Sequence, residues 1–226
     1  MTRGDNLYAL PADLPVPMDD GACDHLQGLR LSAIPLPSTS GRQVDLAALP
    51  GRTVVYLYPH TGRPDRDALP GWNDIPGARG CTPQTCAFRD HHAELKALGA
   101  GVFGLSTQDT DYQREAVERL HLPFELLSDE RFKLIEALRL PTFELAGIRF
   151  VKRITLIVRD GDREGFLSGV SAGCECGGGG GVARRAPRRP PLVVESSAEL
   201  CKGFSQRLEN SEVKRYVELY RRSQSS

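Results

Sequence analysis

No apolar run in this chain approaches the length of a membrane span, so a transmembrane helix is not expected. No single sign of charge dominates either: 29 Lys and Arg balance 29 Asp and Glu. A neutral chain of this kind suggests neither an acidic polymer nor a membrane surface as partner. The opening residues, Met1 to Asn6, contain no apolar signal core, which makes the cytoplasm the expected location. Cysteines are few: six among 226 residues do not build a disulfide scaffold. In a reducing compartment such cysteines are catalytic or inert.

What is present is ordinary globular material, 40% apolar and long enough for one domain with a tail. Residues 1–27 are rich in Pro and Asp and read as an extended N-terminal arm lying on the domain, or as disorder. Thr53 to Tyr58 is a run of β-branched and aromatic residues suited to a strand buried on both faces. A helix is expected from Thr82 to Leu98, a strand at Val102 to Thr107, and a helix to about Leu120 opened by a Thr110–Gln113 capping box. Phe124 to Leu127 reads as a strand, Asp129 to Leu138 as a helix, and Arg149 to Val158 as one longer strand ending at the Asp160–Gly161 turn. Strands alternating with helices make an α/β layer fold.

After Gly161 the composition changes. Five consecutive glycines follow Cys174-Glu175-Cys176, and an Arg/Pro cluster follows them. Residues 162–226 are therefore expected to form a disordered C-terminal tail, with a possible helix from Ser196 to about Arg222.

The stretch that carries chemistry is Gly80-Cys81-Thr82-Pro83-Gln84-Thr85-Cys86. It lies beyond a strand and a long Gly/Pro/Asp-rich loop, and it begins a helix. A cysteine in a first helical turn meets unpaired N–H groups and the positive end of the helix dipole, both of which favour a reactive thiolate. Cys86, five residues on, offers a nearby partner for an oxidised Cys81. The spacing does not match a Cys-x-x-Cys zinc or thioredoxin motif. Residues five apart on an intact helix have Cα atoms roughly 8.7 Å apart, whereas a disulfide needs less than about 7 Å. Any bridge between these two therefore requires the helix to unwind.

These residues resemble the peroxiredoxins, specifically the Q type, or bacterioferritin-comigratory-protein class. The resemblance runs from about Leu29 to Gly161 through Tyr58-Pro59, Gly80-Cys81-Thr82, Cys86 to Asp90, Gly104 to Gln108, Leu126 to Asp129 and Lys152 to Val158. It implies a thioredoxin-like sheet with flanking helices over residues 28–161, with the family's last strand and helix unmatched in this sequence. It implies Cys81 as the peroxidatic cysteine, Cys86 as the resolving cysteine and Arg153 as the supporting arginine, with Pro59, Gly80 and Thr82 binding substrate. The implied activity is reduction of hydrogen peroxide or organic hydroperoxides without metal or other cofactor. A thioredoxin- or glutaredoxin-type protein would regenerate the thiols, and a monomer or weak dimer is expected. The sequence departs from the family pattern before the cysteine. Ala78 stands where a Thr or Ser is usual, and Pro59 lies 22 positions before Cys81. The intervening insertion, His60 to Arg79, contains the single tryptophan, Trp72. Thr61 is the candidate to supply the missing hydroxyl.

Other residues carry blander readings. Arg153 falls on an inner strand, where a charge needs a partner, and Lys152 alternates to the opposite side. His91 and His92 read as a solvated helix face, and Cys23 as an inert thiol. Cys174, Cys176 and Cys201 are too unsupported for a metal site. The arginine pairs at 184–185 and 188–189 lack interleaved aromatics and read as solvated, not as a nucleic-acid contact. Two other functions fit the same residues: a thiol–disulfide oxidoreductase acting on proteins, and a non-catalytic redox sensor or binding module.

Overall fold

The computed structural model describes residues 7–8, 10, 13–15, 20–26, 29–159 and 166–168. Its elements in chain order are β1 (Pro35–Pro37), β2 (Gln43–Asp45), β3 (Arg52–Leu57), α1 (Cys81–Asp90), α2 (His92–Ala97) and β4 (Ala100–Ser106). They continue with α3 (Thr110–Leu120), β5 (Leu126–Ser128), α4 (Lys133–Ala137), β6 (Thr142–Leu145), β7 (Ile148–Val151), β8 (Ile154–Arg159) and β9 (Phe166–Ser168).

The central sheet has five strands in the order β5-β4-β3-β8-β9. β3 runs parallel to β4 and β4 parallel to β5, while β8 is antiparallel to both β3 and β9. β1–β2 and β6–β7 form separate antiparallel hairpins. The strand alternation of β3 explains the two-layer core. Val55 and Leu57 enter one cluster with Leu105, Leu127, Leu134 and Ile135, which includes the face under α4. Val54, Tyr56 and Tyr58 enter the other with Phe88, Leu95 and Ala116, one residue from each of α1, α2 and α3. A Cβ on Gly104 would come within 2.5 Å of Leu126 Cδ2 and 2.7 Å of Tyr56 Cζ. Glycine is thus required where the Tyr56 ring crosses β4.

Several sequence expectations are corrected in detail. The single helix expected from Thr82 to Leu98 is broken at His91, whose φ of −98° and ψ of 4° leave the α region between α1 and α2. The cap of α3 is Asp109, whose carboxylate accepts from Tyr112 N at 2.7 Å. Gln113 is fully buried instead, and its Nε2 donates to Leu127 O at 2.9 Å and Ser106 Oγ at 3.0 Å. The helix expected from Asp129 to Leu138 is reduced to α4, because Asp129 and its neighbours form the turn in front of it. The strand expected at Phe124 to Leu127 starts two residues later, at Leu126.

The single strand expected from Arg149 to Val158 is two strands, β7 and β8, separated at Lys152–Arg153. β7 pairs with β6 and β8 with β3, so the chain changes partner at those two residues. β9, Phe166–Ser168, falls within residues 162–226, expected as a disordered tail, and pairs with β8 as a fifth strand of the sheet. The helix considered from Ser196 to about Arg222, and the rest of the tail beyond Ser168, lie outside the described residues.

The insertion packs against the β6–β7 hairpin. Trp72 and Ala78 share a small core with Phe143 and Phe150, flanked by Leu69, Ile75 and Leu145. The Trp72 ring meets the Phe150 ring edge-on, with centroids 5.1 Å apart. The arm also contributes to the fold: Leu26 and Cys23 are buried in the core on the α4 side, and Asp20 pairs with Lys152 Nζ at 3.3 Å.

Candidate active site

Gly80 sets the geometry. Its φ of 98° is left-handed, a conformation open to glycine and costly for other residues, and it turns the chain directly into α1. Gly80 O accepts from Gln84 N at 3.0 Å as the first bond of the helix. Cys81 is the first helical residue and Pro83, which has no N–H to lose, sits in the first turn. The N–H groups of Cys81 and Thr82 precede that first intrahelical bond and face outward from the helix start.

Arg153 reaches this helix start from the β7–β8 break. Its Nη2 donates to Cys81 Sγ at 3.4 Å. The guanidinium is held by backbone carbonyls of the insertion, with Nε and Nη2 each 3.2 Å from Gly77 O and Nη2 3.0 Å from Arg79 O. Nη1 donates to Gln84 Oε1, one turn along α1 from the cysteine. The inner-strand placement expected for Arg153 is therefore corrected. It stands in the gap between strands, which lets its side chain leave the sheet plane toward α1. Lys152 goes elsewhere, to Asp20.

Cys81 is 2% exposed, and its thiol donates to Ala78 O at 3.4 Å. Ala78 thus offers the sulfur a backbone carbonyl and no side-chain hydroxyl. Thr61 does not replace the hydroxyl: it is buried and donates from Oγ1 to Gln108 Oε1 at 3.1 Å. Cys86 lies on the same helix and is more exposed than Cys81. None of Cys23, Cys81 and Cys86 is joined in a disulfide.

A cavity of about 680 Å³ opens onto Cys81, Gly80 and Thr82. Its walls come from the insertion, the start of α3 and the β6–β7 hairpin. Pro59 is buried and is not among the lining residues. His60 stands in the wall against Tyr112, Trp72 and Phe150, with ring centroids 5.0, 5.9 and 6.0 Å away. Burial lowers its pKa to about 4, so the ring is neutral at pH 7. Burial also pushes the Tyr112 phenol up to about 12, and its hydroxyl donates to Thr61 O at 3.1 Å.

Sequence reasoning missed Gln84, Ala78 O and the cavity walls. Gln84 was readable, since a polar residue three positions after Cys81 shares its helix face. His91 and His92 do not converge on a site: His91 Nδ1 bonds Ala87 O at 3.0 Å, and the His92 ring lies 5.7 Å from that of Phe124. Cys174, Cys176 and Cys201 lie outside the described residues.

A family model described as Redoxin matches residues 24–162, more than half of the 226 residues. The chain belongs to the Redoxin family. Within the Redoxin family its likeness is to the Q type. It is 40% identical over 100 residues to a chloroplastic peroxiredoxin Q of Oryza sativa subsp. japonica, covering 44% of this chain and 39% of that one. It is 36% identical over 102 residues to peroxiredoxin Bcp of Escherichia coli (strain K12), covering 45% of this chain and 56% of that one. The chain thus matches less than two thirds of the length of these relatives. Among solved structures, peroxidoxin BcpB from Mycobacterium tuberculosis superposes with a TM-score of 0.51 at 25% identity, over 64% of this chain and 85% of that one. The sheet with flanking helices is the thioredoxin-like Redoxin fold. No described helix is long and apolar enough to cross a membrane.

Proposed function

We propose that the protein is a thiol peroxidase that reduces hydroperoxides through Cys81. The observation that carries this reading is the Arg153 guanidinium held 3.4 Å from Cys81 Sγ at the start of α1. It supplies fixed positive charge beside the sulfur and beside the oxygen that would leave. The names of the relatives, peroxiredoxin Q and peroxiredoxin Bcp, support it.

In this mechanism the Cys81 thiolate attacks the terminal oxygen of ROOH. An S–O bond forms, the O–O bond breaks, and RO⁻ takes a proton from water to leave as ROH. Arg153 and the N–H groups of Cys81 and Thr82 stabilise the developing negative charge, while Gly80 keeps the backbone close. Cys86 then attacks the Cys81 sulfenic acid, releasing water and forming a disulfide. A dithiol protein of the thioredoxin or glutaredoxin type returns both thiols, in a reducing compartment such as the cytoplasm.

The test is steady-state consumption of hydrogen peroxide and cumene hydroperoxide with a thioredoxin system. Turnover that depends on Cys81 supports the reading. Reduction of insulin disulfides without peroxide turnover would make the protein a thiol–disulfide oxidoreductase. A single oxidation with no turnover under any dithiol reductant would make it a redox sensor.

A further inference from the structure

Two glycines bracket the insertion, Gly62 near its start and Gly80 just after its end, and each carries a leucine of the N-terminal arm. A Cβ on Gly62 would come within 2.5 Å of Leu7 Cδ2, so the Leu7 side chain rests directly on that backbone. At Gly80 a Cβ would stand 3.3 Å from Leu10 Cδ2 and 3.8 Å from Arg153 Nη2. Leu10 and the guanidinium that faces Cys81 thus converge on one glycine at the start of α1. Both leucines are partly buried, and Leu7 also lines the cavity.

Tyr8, between the two leucines in sequence, ties the arm to α3. Its hydroxyl accepts from Arg119 Nη1 at 3.5 Å, while Nη2 of the same guanidinium donates to Gly62 O at 2.9 Å. Arg119 is itself held on α3 by Glu115, with Nε 2.6 Å from Oε1. One side chain therefore grips the arm and the insertion together. The arm's other contact falls on Gly80, where α1 begins. Bringing Cys86 to Cys81 requires that part of the helix to unwind, and a side chain packed on Gly80 resists such local opening.

We propose that Leu7, Tyr8 and Leu10 form a strap that holds the start of α1 in its helical form and so sets the rate at which Cys86 closes on oxidised Cys81. The proposal rests on the peroxidase reading above and concerns its second step. The chemistry of that step is unchanged: the Cys86 sulfur displaces the hydroxyl on Cys81, an S–S bond replaces the S–O bond, and water leaves with the Cys86 proton. The strap acts on the population from which this happens. While Leu10 rests on Gly80 the sulfenic acid persists; once the arm lifts, the helix opens and the disulfide forms.

Stopped-flow fluorescence of Trp72 separates the two steps, since oxidation of Cys81 scales with peroxide concentration and disulfide formation does not. A Leu7→Ser, Leu10→Ser double variant removes the apolar contacts. Gly62→Ala leaves the arm sequence intact and displaces Leu7 with its Cβ. In the double variant the peroxide-independent step should quicken by about fivefold, the lower end of what one lost contact does to a two-state ratio. Gly62→Ala should move it in the same direction, and the second-order constant for hydrogen peroxide should be unchanged in both. Hydrogen exchange in the reduced double variant should rise from Thr82 to Ala87. Asp13→Asn, exposed on the same arm, should alter neither step. An unchanged peroxide-independent step in either strap variant would overturn the proposal even where hydrogen peroxide oxidises Cys81 normally. A changed second-order constant would overturn it too, by making the arm a wall of the substrate cavity. Failure of peroxide to oxidise Cys81 in the wild-type protein, or oxidation with no disulfide step, would instead overturn the peroxidase reading on which it rests.

Discussion

Phe88 lies flat on Tyr56, with ring centroids 4.3 Å apart and planes 9° from parallel. Both rings are buried, and the next residue on the helix, Arg89, bonds Leu120 O at 3.0 Å through Nη1. The second half of α1 is thereby fastened to the sheet and to the end of α3, whereas Cys81 and Cys86 both precede the fastening. The helical separation of these cysteines, roughly 8.7 Å between Cα atoms, exceeds the reach of a disulfide at about 7 Å. Oxidation should therefore unwind α1 from Cys81 to about Ala87 and stop at Phe88. Hydrogen exchange on the oxidised protein should rise over those residues and stay low across α2 and β3. A bridge between chains, a bridge to Cys23, or loss of protection through α2 would sink this account.

The two cysteines should separate cleanly by mutation. Cys81→Ser should abolish peroxide reduction, because it removes the sulfur at the helix start beside Arg153. Cys86→Ser should still react once and stop with a sulfenic acid on Cys81, since the attacking sulfur is intact and only its partner is lost. Labelling with a cyclic diketone followed by peptide mapping reads the outcome. Label on Cys86 in the Cys81 variant, at the wild-type rate, would show that the roles are reversed.

Arg153→Lys keeps the charge and loses the fork. The guanidinium simultaneously meets Gly77 O, Arg79 O, Gln84 Oε1 and the sulfur. One ammonium group cannot span those directions. We expect oxidation of Cys81 to slow by about a hundredfold, the effect of losing one well-placed donor to a developing oxyanion. Circular dichroism should show the fold unchanged. A lysine variant at wild-type rate would mean that charge alone suffices and the carbonyl cradle is incidental.

How much of this was legible in the sequence depends on how local the cause is. β3 and the position of Cys81 could be read because consecutive β-branched residues, and a cysteine following Gly80, specify themselves over a few residues. Arg153 was recognised by resemblance, but its position was misread. The strand pattern runs unbroken through Arg149 to Val158, and only tertiary pairing, β7 with β6 and β8 with β3, opens the gap that frees its side chain. The Thr110 capping signal lost to Asp109 because Gln113 is needed in the core. The insertion read as loop, since nothing in the local composition shows that Trp72 and Ala78 will find Phe143 and Phe150 some seventy residues away.

His60 makes stability depend on pH in a defined direction. Burial against Trp72, Tyr112 and Phe150 lowers its pKa from 6.5 to about 4. Between those values the unfolded chain binds a proton that the folded protein excludes, so acid favours unfolding. The stability His60 permits is complete above pH 6.5 and is lost as pH falls toward 4. From the size of the shift the loss is at most about 3 kcal/mol. Urea denaturation at pH 7.5 and pH 4.5 should show this decline in the wild-type protein. His60→Phe keeps an aromatic ring in the same wall and removes the titration, so its stability should change much less over that interval. Equal losses in both proteins would assign the acid sensitivity to carboxylates elsewhere in the chain, and His60 would then be no more than a packing residue of the cavity wall.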